Sequence, residues 1–354
     1  MKKKGLWVVL VLVGLPLLYV GGNIAVAYFT QLRPEPREKL EAQIPASSKK
    51  IIPVDSALTF FTWNIGYAGL GAETDFFYDD GKMVITPEPL VKQYMAGIDA
   101  TIREHAKTDF VLIQEADRGS KRSYYIDEAA ALSASLADHA SCFAVNYDVK
   151  NLPFPWTEPL GRIYGGLLSL TSYQPTQSER IALANITDFP RRLFYLKRCL
   201  LMQRFPVANG KELIVVNTHF EAYDNGNIKR KQMALTKSIV EEEYARGNYV
   251  IIGGDWNIAP PDFNVHQWEK EKISDSLYFM NNDPNYIHEW KYVYDGKTPS
   301  NRKNNHAYDP ATTFTTVIDY FFVSPNVQVD TVQGIHAQFR NSDHNPVRMT
   351  VRLK

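Results

Sequence analysis

The sequence predicts an α+β fold in which β-sheets pack together and are flanked by helices, with one apolar helix ahead of them. Short apolar runs of strand type far outnumber helical patterns, they follow one another in groups, and residues 5–32 contain no charged side chain. A chain of 354 residues with 45% hydrophobic and 22% charged residues is typical of a globular enzyme. This composition excludes disordered chains and disulfide scaffolds.

Residues 1–32 are the predicted membrane segment. Three lysines at positions 2–4 precede the charge-free stretch, which is long enough to provide the ~20 apolar residues that span a bilayer. Because lysines favour the cytoplasmic side, we expect everything after Arg33 to lie outside the cytoplasm. We favour an uncleaved single-pass anchor; the Ala-Val-Ala sequence at 25–27 also fits signal-peptidase cleavage, which would give a secreted protein.

The rest of the chain is predicted to hold a short linker and one domain. Residues 33–50 are polar and contain three prolines, which is typical of a linker. Residues 51–354 show no internal repeat and predict a single domain. We expect surface loops at 69–89, 151–164 and 258–311.

Within this domain the predicted strands are short apolar or alternating runs, and the predicted helices have apolar residues three or four apart. The strands are Ala57 to Trp63, Phe110 to Gln114, Gly166 to Leu170, Cys199 to Phe205, Glu212 to Thr218, Tyr249 to Gly253, Ile318 to Val323, Val327 to Ile335 and Pro346 to Val351. The helices are Val91 to Ile102, Ile126 to Leu136 and Ile228 to Arg246, the last of which ends at Gly247.

Charge and cysteine content limit the function classes. Lys plus Arg and Asp plus Glu number 39 each, so no net charge draws the chain onto polyanions, although a local basic groove is compatible with this total. Cys142 and Cys199 are the only cysteines, which excludes a cysteine-based zinc cluster and allows at most one disulfide. The sequence leaves their pairing open.

Polar side chains recur at the ends of the predicted strands. The set is Asn64, Glu115, His219, Asp255, Asn257, Asp319, Asp343 and His344. Each alone has an ordinary explanation, such as a turn cap or a structural histidine. Because a buried carboxylate needs a cation or several donors, carboxylates and amides together favour a hard, oxygen-liking cation such as Mg²⁺ or Mn²⁺.

These residues, in this order, resemble the motif series of the endonuclease/exonuclease/phosphatase superfamily, including its deoxyribonuclease-like and neutral sphingomyelinase-like branches. The matching segments are Thr62-Trp63-Asn64-Ile65, Ile113-Gln114-Glu115, Asn217-Thr218-His219, Gly254-Asp255-Trp256-Asn257, Ile318-Asp319-Tyr320 and Ser342-Asp343-His344. The resemblance covers roughly Ala57 to Leu353. It implies a four-layer α/β/β/α sandwich of two mixed sheets, with the strand tips forming one metal-containing cleft.

The resemblance also implies a role for each residue in hydrolysis of a phosphoester by water. Glu115, Asp343 and Asn64 are implied metal ligands, with Asn64 and Asn257 also near the substrate. Asp319 pairs with His344 beside the phosphate, Asp255 and Asn257 orient the attacking water, and His219 acts on the leaving-group side. One-metal and two-metal schemes stay open, as does the identity of the general base.

Two further features are ambiguous in the sequence. Arg302, in the loop Thr298 to Arg302, is either a phosphate clamp or a surface arginine. Aromatic residues in three predicted loops, 76–78, 154–156 and 193–195, could rest on lipid, stack on bases or form small cores beneath the loops.

The expected activity is that of a membrane-tethered, Mg²⁺-dependent phosphoesterase, with lipid or envelope phosphoesters slightly favoured as substrates. An extracellular nuclease acting on DNA or RNA is the alternative, because such enzymes need only a modest groove charge. A non-catalytic binding protein on the same fold is a further alternative. A zinc hydrolase ranks last, since the sequence has no compact histidine cluster. The sequence implies no protein partner.

Overall fold

The computed structural model describes residues 2–224, 226–271 and 280–354. Two mixed β-sheets pack face to face with helices on both outer sides, which confirms the predicted four-layer sandwich. The helices are α1 (Lys2–Thr30), α2 (Glu88–Glu104), α3 (Glu128–Ser135) and α4 (Asn227–Ala245). The strands are β1 (Arg37–Lys39), β2 (Leu58–Asn64), β3 (Phe110–Asp117), β4 (Ala140–Leu152), β5 (Gly161–Thr171), β6 (Gln177–Ala182), β7 (Cys199–Pro206), β8 (Glu212–His219), β9 (Tyr249–Asp255), β10 (Lys291–Val293), β11 (Asn301–Arg302), β12 (Thr315–Thr316), β13 (Asp319–Val323), β14 (Val327–Gly334) and β15 (Val347–Leu353).

Strand order places the ends of four strands near one another. Among the described residues, one sheet runs β1-β6-β7-β8-β9-β13-β10 and the other β14-β15-β2-β3-β5-β4. Strands β2 and β3 are parallel neighbours, as are β8 and β9, so each pair presents its carboxyl ends at one edge. Strand β13 is antiparallel to β9 and therefore begins at the edge where β9 ends. A small antiparallel ribbon, β11-β12, lies beside them.

The core between the sheets follows from alternation along the strands. Phe60 and Phe110 stack with ring centroids 4.6 Å apart in one sheet, and Phe205 and Phe321 approach them from the other. Because neighbouring residues in a strand point to opposite faces, the intervening residues form the outer layers. On one side Phe61 packs with the apolar stripe of α2, and on the other the outward residues of β8 and β9 pack with α4.

The structure adds strands that the sequence did not predict. Strand β4 spans Ala140–Leu152, yet the buried positions of its first half are filled by small or polar residues such as Ala144 and Asn146, so its alternation of hydropathy is weak there. Strand β6 is likewise unpredicted, and β5 begins at Gly161 inside a predicted loop. The predicted loop 258–311 contains β10 and β11, and its residues 272–279 lie outside the described residues.

The N-terminal segment is helical, and part of the predicted linker belongs to a sheet. Within α1, Leu12–Thr30 is long and apolar enough to cross a membrane, a criterion that a signal sequence also meets. In the linker, Arg37–Lys39 pairs with β6, and Gln43 pairs with Ser141. The anchor, its topology and the domain boundaries stay predictions.

The two cysteines are free thiols. Cys142 and Cys199 are both buried in one small apolar cluster with Leu167 and Leu201. Burial raises the pKa of each thiol to about 11. At neutral pH both therefore pack as small apolar side chains.

Candidate active site

Six of the eight polar residues predicted at the strand ends line one cavity of about 440 Å³, and the other two, Asn64 and Asp319, are hydrogen-bonded to residues of that lining. In the sheet register, His219 lies opposite Asp255, and Asp255 lies opposite Asp319. Glu115, Asp343 and His344 line the same cavity. The size is typical of a site for a small ligand or for part of a larger one.

Glu115 enters the cavity from a bulge in β3. The register between β3 and β5 shifts between Ile113 and Ala116, and Glu115 has a φ of +55°. A bulge re-aims a side chain that regular alternation would turn elsewhere. Burial, and after it the charge of Asp343, raises the pKa of Glu115.

Asn64, at the end of β2, connects two carboxylates across the two sheets. Its Nδ2 donates to Glu115 Oε1 and to Asp255 Oδ2, each at 3.0 Å, and its Oδ1 accepts from the backbone N–H of Gly66 at 3.0 Å. These three hydrogen bonds hold the amide fixed. Asn64 therefore sets the separation of the two acids.

Asp255 is held at the end of β9 by a close backbone approach. The preceding Gly254 has a φ of +148°, and a Cβ there would lie 2.0 Å from the carbonyl oxygen of Thr218, so only glycine fits. Asp255 Oδ1 accepts from the backbone N–H of Asn257 at 2.9 Å. Burial and the neighbouring Asp319 raise the pKa of Asp255 to about 6.

His344 and Asp319 form a buried pair. His344 Nδ1 lies 2.7 Å from Asp319 Oδ2, which also accepts from Ser300 Oγ at 2.7 Å. Burial by itself lowers the pKa of His344, but Asp319 and Asp343 outweigh it and raise that pKa well above the usual range. His344 is therefore an imidazolium at neutral pH, with Nε2 3.8 Å from Asp255 Oδ2.

His219 differs from His344 in charge, since it is neutral. Its Nε2 lies 3.4 Å from Asp255 Oδ2 and 3.8 Å from Glu115 Oε1, while its Nδ1 is buried without a hydrogen-bond partner. Burial, Arg198 and His344 together lower its pKa well below the usual range. The cavity thus contains one cationic and one neutral imidazole.

Asp343 and Asn257 are fixed by their neighbours. Asp343 Oδ2 accepts from Asn304 Nδ2 at 2.6 Å. Asn257 has a φ of +49°, and its Nδ2 donates to the carbonyl oxygen of Phe220 at 3.0 Å. Both residues line the cavity, in agreement with their predicted placement.

The donor set fits a divalent cation. Four carboxylates, those of Glu115, Asp255, Asp319 and Asp343, lie in or beside the cavity, and the pKa of Glu115 and that of Asp255 are raised in part by a neighbouring acid. A cation would relieve this repulsion.

Two positions for a metal follow from the side chains. Ligand atoms of Asp255, Asp319 and His344 lie within 4.8 Å of one another. However, Asp319 and His344 are already bonded to each other. In the predicted set, the charge of Asp343 raises the pKa of Glu115, a repulsion that a cation would relieve, while Asn64 Oδ1 already accepts from the backbone N–H of Gly66. The set of Asn64, Glu115 and Asp343 stays a prediction.

Arg302 is buried, and its guanidinium donates to backbone carbonyl oxygens. It is 1% exposed, so it is not a surface arginine. Its Nη atoms donate to the carbonyl oxygens of Lys303, His306, Gly71 and Thr74 at 2.8–3.3 Å. These bonds join two loops. They occupy both Nη atoms, so neither is free to donate to a phosphate. The substrate-binding role of Arg302 stays a prediction.

Sequence reasoning missed several residues that hold the site. Ser300 and Asn301 precede Arg302, and they contact Asp319 and His344, with the Asn301 amide 3.1 Å from His344 Nε2. The prediction made from the sequence of this loop concerned Arg302 alone. A small polar residue next to a cation is a weak signal, since such pairs are common in ordinary turns.

Two buried arginines at the cavity were also missed. Arg122 binds both oxygens of Asp117 at 2.9 and 3.0 Å, and Arg198 lies 3.6 Å from Glu221. Each guanidinium has its own carboxylate partner, and the charge of Arg122 also partly offsets the rise in the pKa of Glu115.

Comparison with known proteins agrees with this architecture. The family model described as Endonuclease/Exonuclease/phosphatase family matches residues 61–344. No curated protein matches the chain in sequence.

Three solved structures illustrate the shared fold. An endonuclease/exonuclease/phosphatase from Beutenbergia cavernae DSM 12333 has a TM-score of 0.55 and 20% identity, covering 84% of this chain and 72% of its own. ANGEL2, a 2',3'-cyclic phosphatase in complex with adenosine-2',3'-vanadate, has a TM-score of 0.53 and 14% identity over 89% of this chain and 99% of its own. D. rerio TDP2 complexed with single-strand DNA product has a TM-score of 0.50 and 16% identity over 84% of this chain and 100% of its own.

At these identities the solved structures show the fold alone. The family match is broader evidence, because it spans most of the chain and includes all eight strand-end residues, from Asn64 to His344. Members of the family are phosphoesterases or nucleases, which supports a hydrolase. The chain belongs to the endonuclease/exonuclease/phosphatase family.

Proposed function

We propose that this protein is a Mg²⁺- or Mn²⁺-dependent phosphoester hydrolase, tethered to a membrane by α1. The observation that carries the proposal is the meeting of four carboxylates and two differently charged histidines at the ends of strands from both sheets. Structural packing alone does not require so many acids in one buried cavity, where each costs free energy unless it is paired.

The reaction assigned to the site is in-line attack of water on phosphorus. The water oxygen bonds to phosphorus while the bond to the leaving oxygen breaks. A divalent cation held by Asn64, Glu115 and Asp343 would supply charge neutralisation at the phosphoryl oxygens. Asp255, with a pKa of about 6, accepts the proton of the water, and Asn257 helps to orient it.

The two histidines take different parts in this scheme. The His344 imidazolium, held by Asp319, donates to a phosphoryl oxygen and stabilises the charge that develops there. His219 is neutral and can donate one hydrogen bond, so we place it on the leaving-group side. The leaving oxygen takes its proton from solvent or from this hydrogen-bonded network.

Lipid or envelope phosphoesters are the substrates we favour. In this proposal α1 anchors the chain and the domain lies outside the cytoplasm. The anchor would then hold the cavity near the lipid headgroups. The net charge of zero gives little general affinity for a polyanion.

Nucleic acid is the second candidate. TDP2 in complex with a single-strand DNA product and ANGEL2 with an adenosine vanadate share the fold. A non-catalytic binding protein is less favoured, because every principal position of the site is filled.

The test is an assay of purified protein with Mg²⁺ on sphingomyelin, phosphatidylinositol phosphates and plasmid DNA in parallel. Hydrolysis that stops with a chelator and returns with Mg²⁺ supports the proposal. Preferential nicking of plasmid would reverse the order of substrates. No hydrolysis of any phosphoester, in any divalent metal, would favour the binding protein.

A further inference from the structure

The cavity does not end at its polar residues. From Asp255 and His344 it continues along Leu160 and Phe194 and reaches the N-terminal helix, where Ile24 lines it. One continuous hollow therefore joins the carboxylates to the predicted membrane segment. The wall between the two ends consists mainly of aromatic and aliphatic side chains.

Helix α1 turns one face toward this cavity. Val20, Asn23, Ile24 and Ala27 are three or four residues apart and so share a face. The first three line the cavity, and Ala27 is 6% exposed. Val26 does not line the cavity and is 49% exposed.

Contacts with the end of β4 and with the loop that follows it hold the helix at this position. Asn151 Nδ2 donates to Asn23 Oδ1 at 2.5 Å, and the ring centroid of Tyr19 lies 6.2 Å from that of Trp156. A second hollow, lined by Leu15, Tyr19, Val20 and Trp156 with Pro16, lies along the same helix face. Val20 and Trp156 line both hollows, so the apolar path continues toward the middle of the predicted membrane span.

We propose, on the basis of the proposed function, that α1 is a wall of the substrate site and that the substrate is a lipid phosphoester. Its phosphate lies at the carboxylates and its hydrocarbon chain follows the apolar wall to α1 and the bilayer. A hydrocarbon chain suits such a wall, because contact with apolar side chains keeps the chain out of water after it leaves the bilayer.

The same wall is a poor match for a nucleic acid strand. A strand needs a row of cations along its phosphates as well as surfaces for stacking. The buried arginines of the cavity, Arg122 and Arg198, are paired with Asp117 and Glu221. The wall does offer rings, at Phe154 and Trp156, but Arg191 is the one further arginine or lysine among the described lining residues, so no row of cations follows the cavity.

The first test uses two tryptophan substitutions in α1 of the full-length protein in detergent micelles. Ile24→Trp fills the cavity, whereas Val26→Trp places the same side chain on the exposed face of the same helix. The substrates are a panel of long-chain phospholipids with sphingomyelin, and bis(p-nitrophenyl) phosphate, which has no hydrocarbon chain.

We expect Ile24→Trp to lower kcat/KM on the long-chain substrate about 10-fold and to have a much smaller effect on the soluble substrate. Val26→Trp should change the rate on neither substrate. Equal effects of the two variants on the lipid, or hydrolysis of the soluble phosphoester with no hydrolysis of any lipid, would overturn the inference while leaving the proposed function intact.

The second test does not depend on turnover. Full-length protein is reconstituted in phosphatidylglycerol nanodiscs that contain a phospholipid with a diazirine in its acyl chain, and the labelled peptides are identified. We expect labelling at Leu160 or Phe194, deep in the wall, and loss of that labelling in Ile24→Trp but not in Val26→Trp. Labelling confined to the exposed face of α1 would contradict the inference. Labelling of the wall without hydrolysis of any phosphoester would instead contradict the proposed function.

Discussion

The two ends of the cavity are built in different ways. At the carboxylate end, Asp255, Asp319 and His344 are each less than a tenth exposed, and all three have hydrogen-bond partners within 3 Å. At the α1 end, Phe154 and Trp156 are 43% and 60% exposed and lie on a loop. Rigid strands hold the groups that would do chemistry, and a loop and a helix hold the groups that would select the substrate.

This difference indicates where change is tolerated. Buried, paired polar groups cannot be altered singly without leaving a partner unsatisfied. Exposed apolar residues on loops can change at little cost in folding free energy. We therefore expect substitutions at the carboxylate end to affect every substrate and substitutions at the α1 end to affect only some.

The largest effect is expected when a side chain at the carboxylate end, that of Glu115 or His344, is removed. Glu115→Ala and His344→Ala should each lower kcat on every phosphoester by about 10³-fold, because the first removes a proposed metal ligand and the second the imidazolium. The melting temperature serves as the control for folding. If both folded variants keep the full rate, the site assignment is wrong.

Asp319→Asn should have a smaller effect and lower kcat by about 10²-fold at neutral pH. Asp319 raises the pKa of His344, so loss of its charge lowers that pKa and brings the loss of the imidazolium to a lower pH. The defect should consequently be larger at alkaline than at acid pH, as measured from a pH–rate profile. A loss of equal size at all pH values would argue that Asp319 only positions the ring.

Arg302→Ala tests whether the residue belongs to the framework of the site or to its chemistry. Because its Nη atoms bind carbonyl oxygens of two loops, the free energy of unfolding should fall by about 3 kcal/mol in urea denaturation. A phosphate clamp would behave differently: KM would rise while the unfolding midpoint stayed the same. That result would restore the substrate-binding role.

The smallest effect belongs to the α1 end. Trp156→Ala should lower kcat/KM on a long-chain lipid about 5-fold and leave a soluble phosphoester unchanged, because it removes part of the apolar wall. Phe189→Ala is the matched control, since Phe189 is 59% exposed and does not line the cavity. Equal losses in both variants would indicate that these rings act by adhesion to lipid surfaces rather than within the cavity.

The sequence by itself determined the sandwich and most of the chemical groups. Strands such as Phe110 to Gln114 are apolar runs whose signal is local, and the polar residues that end them are visible in the printed chain. Strand β4 escaped prediction because the buried positions of its first half are small or polar, so its alternation is weak even though its partner β5 follows it directly in sequence.

Only the tertiary structure decided which side chains contact one another and which of them carry a charge. Register brings Asp255 beside both His219 and Asp319, and burial with neighbouring charge makes one histidine neutral and the other cationic. The burial of Arg302 and the helix face that α1 turns to the cavity were likewise decided by packing. Side-chain chemistry and periodicity are local properties of the chain, whereas distance and dielectric environment depend on contacts between residues far apart in it.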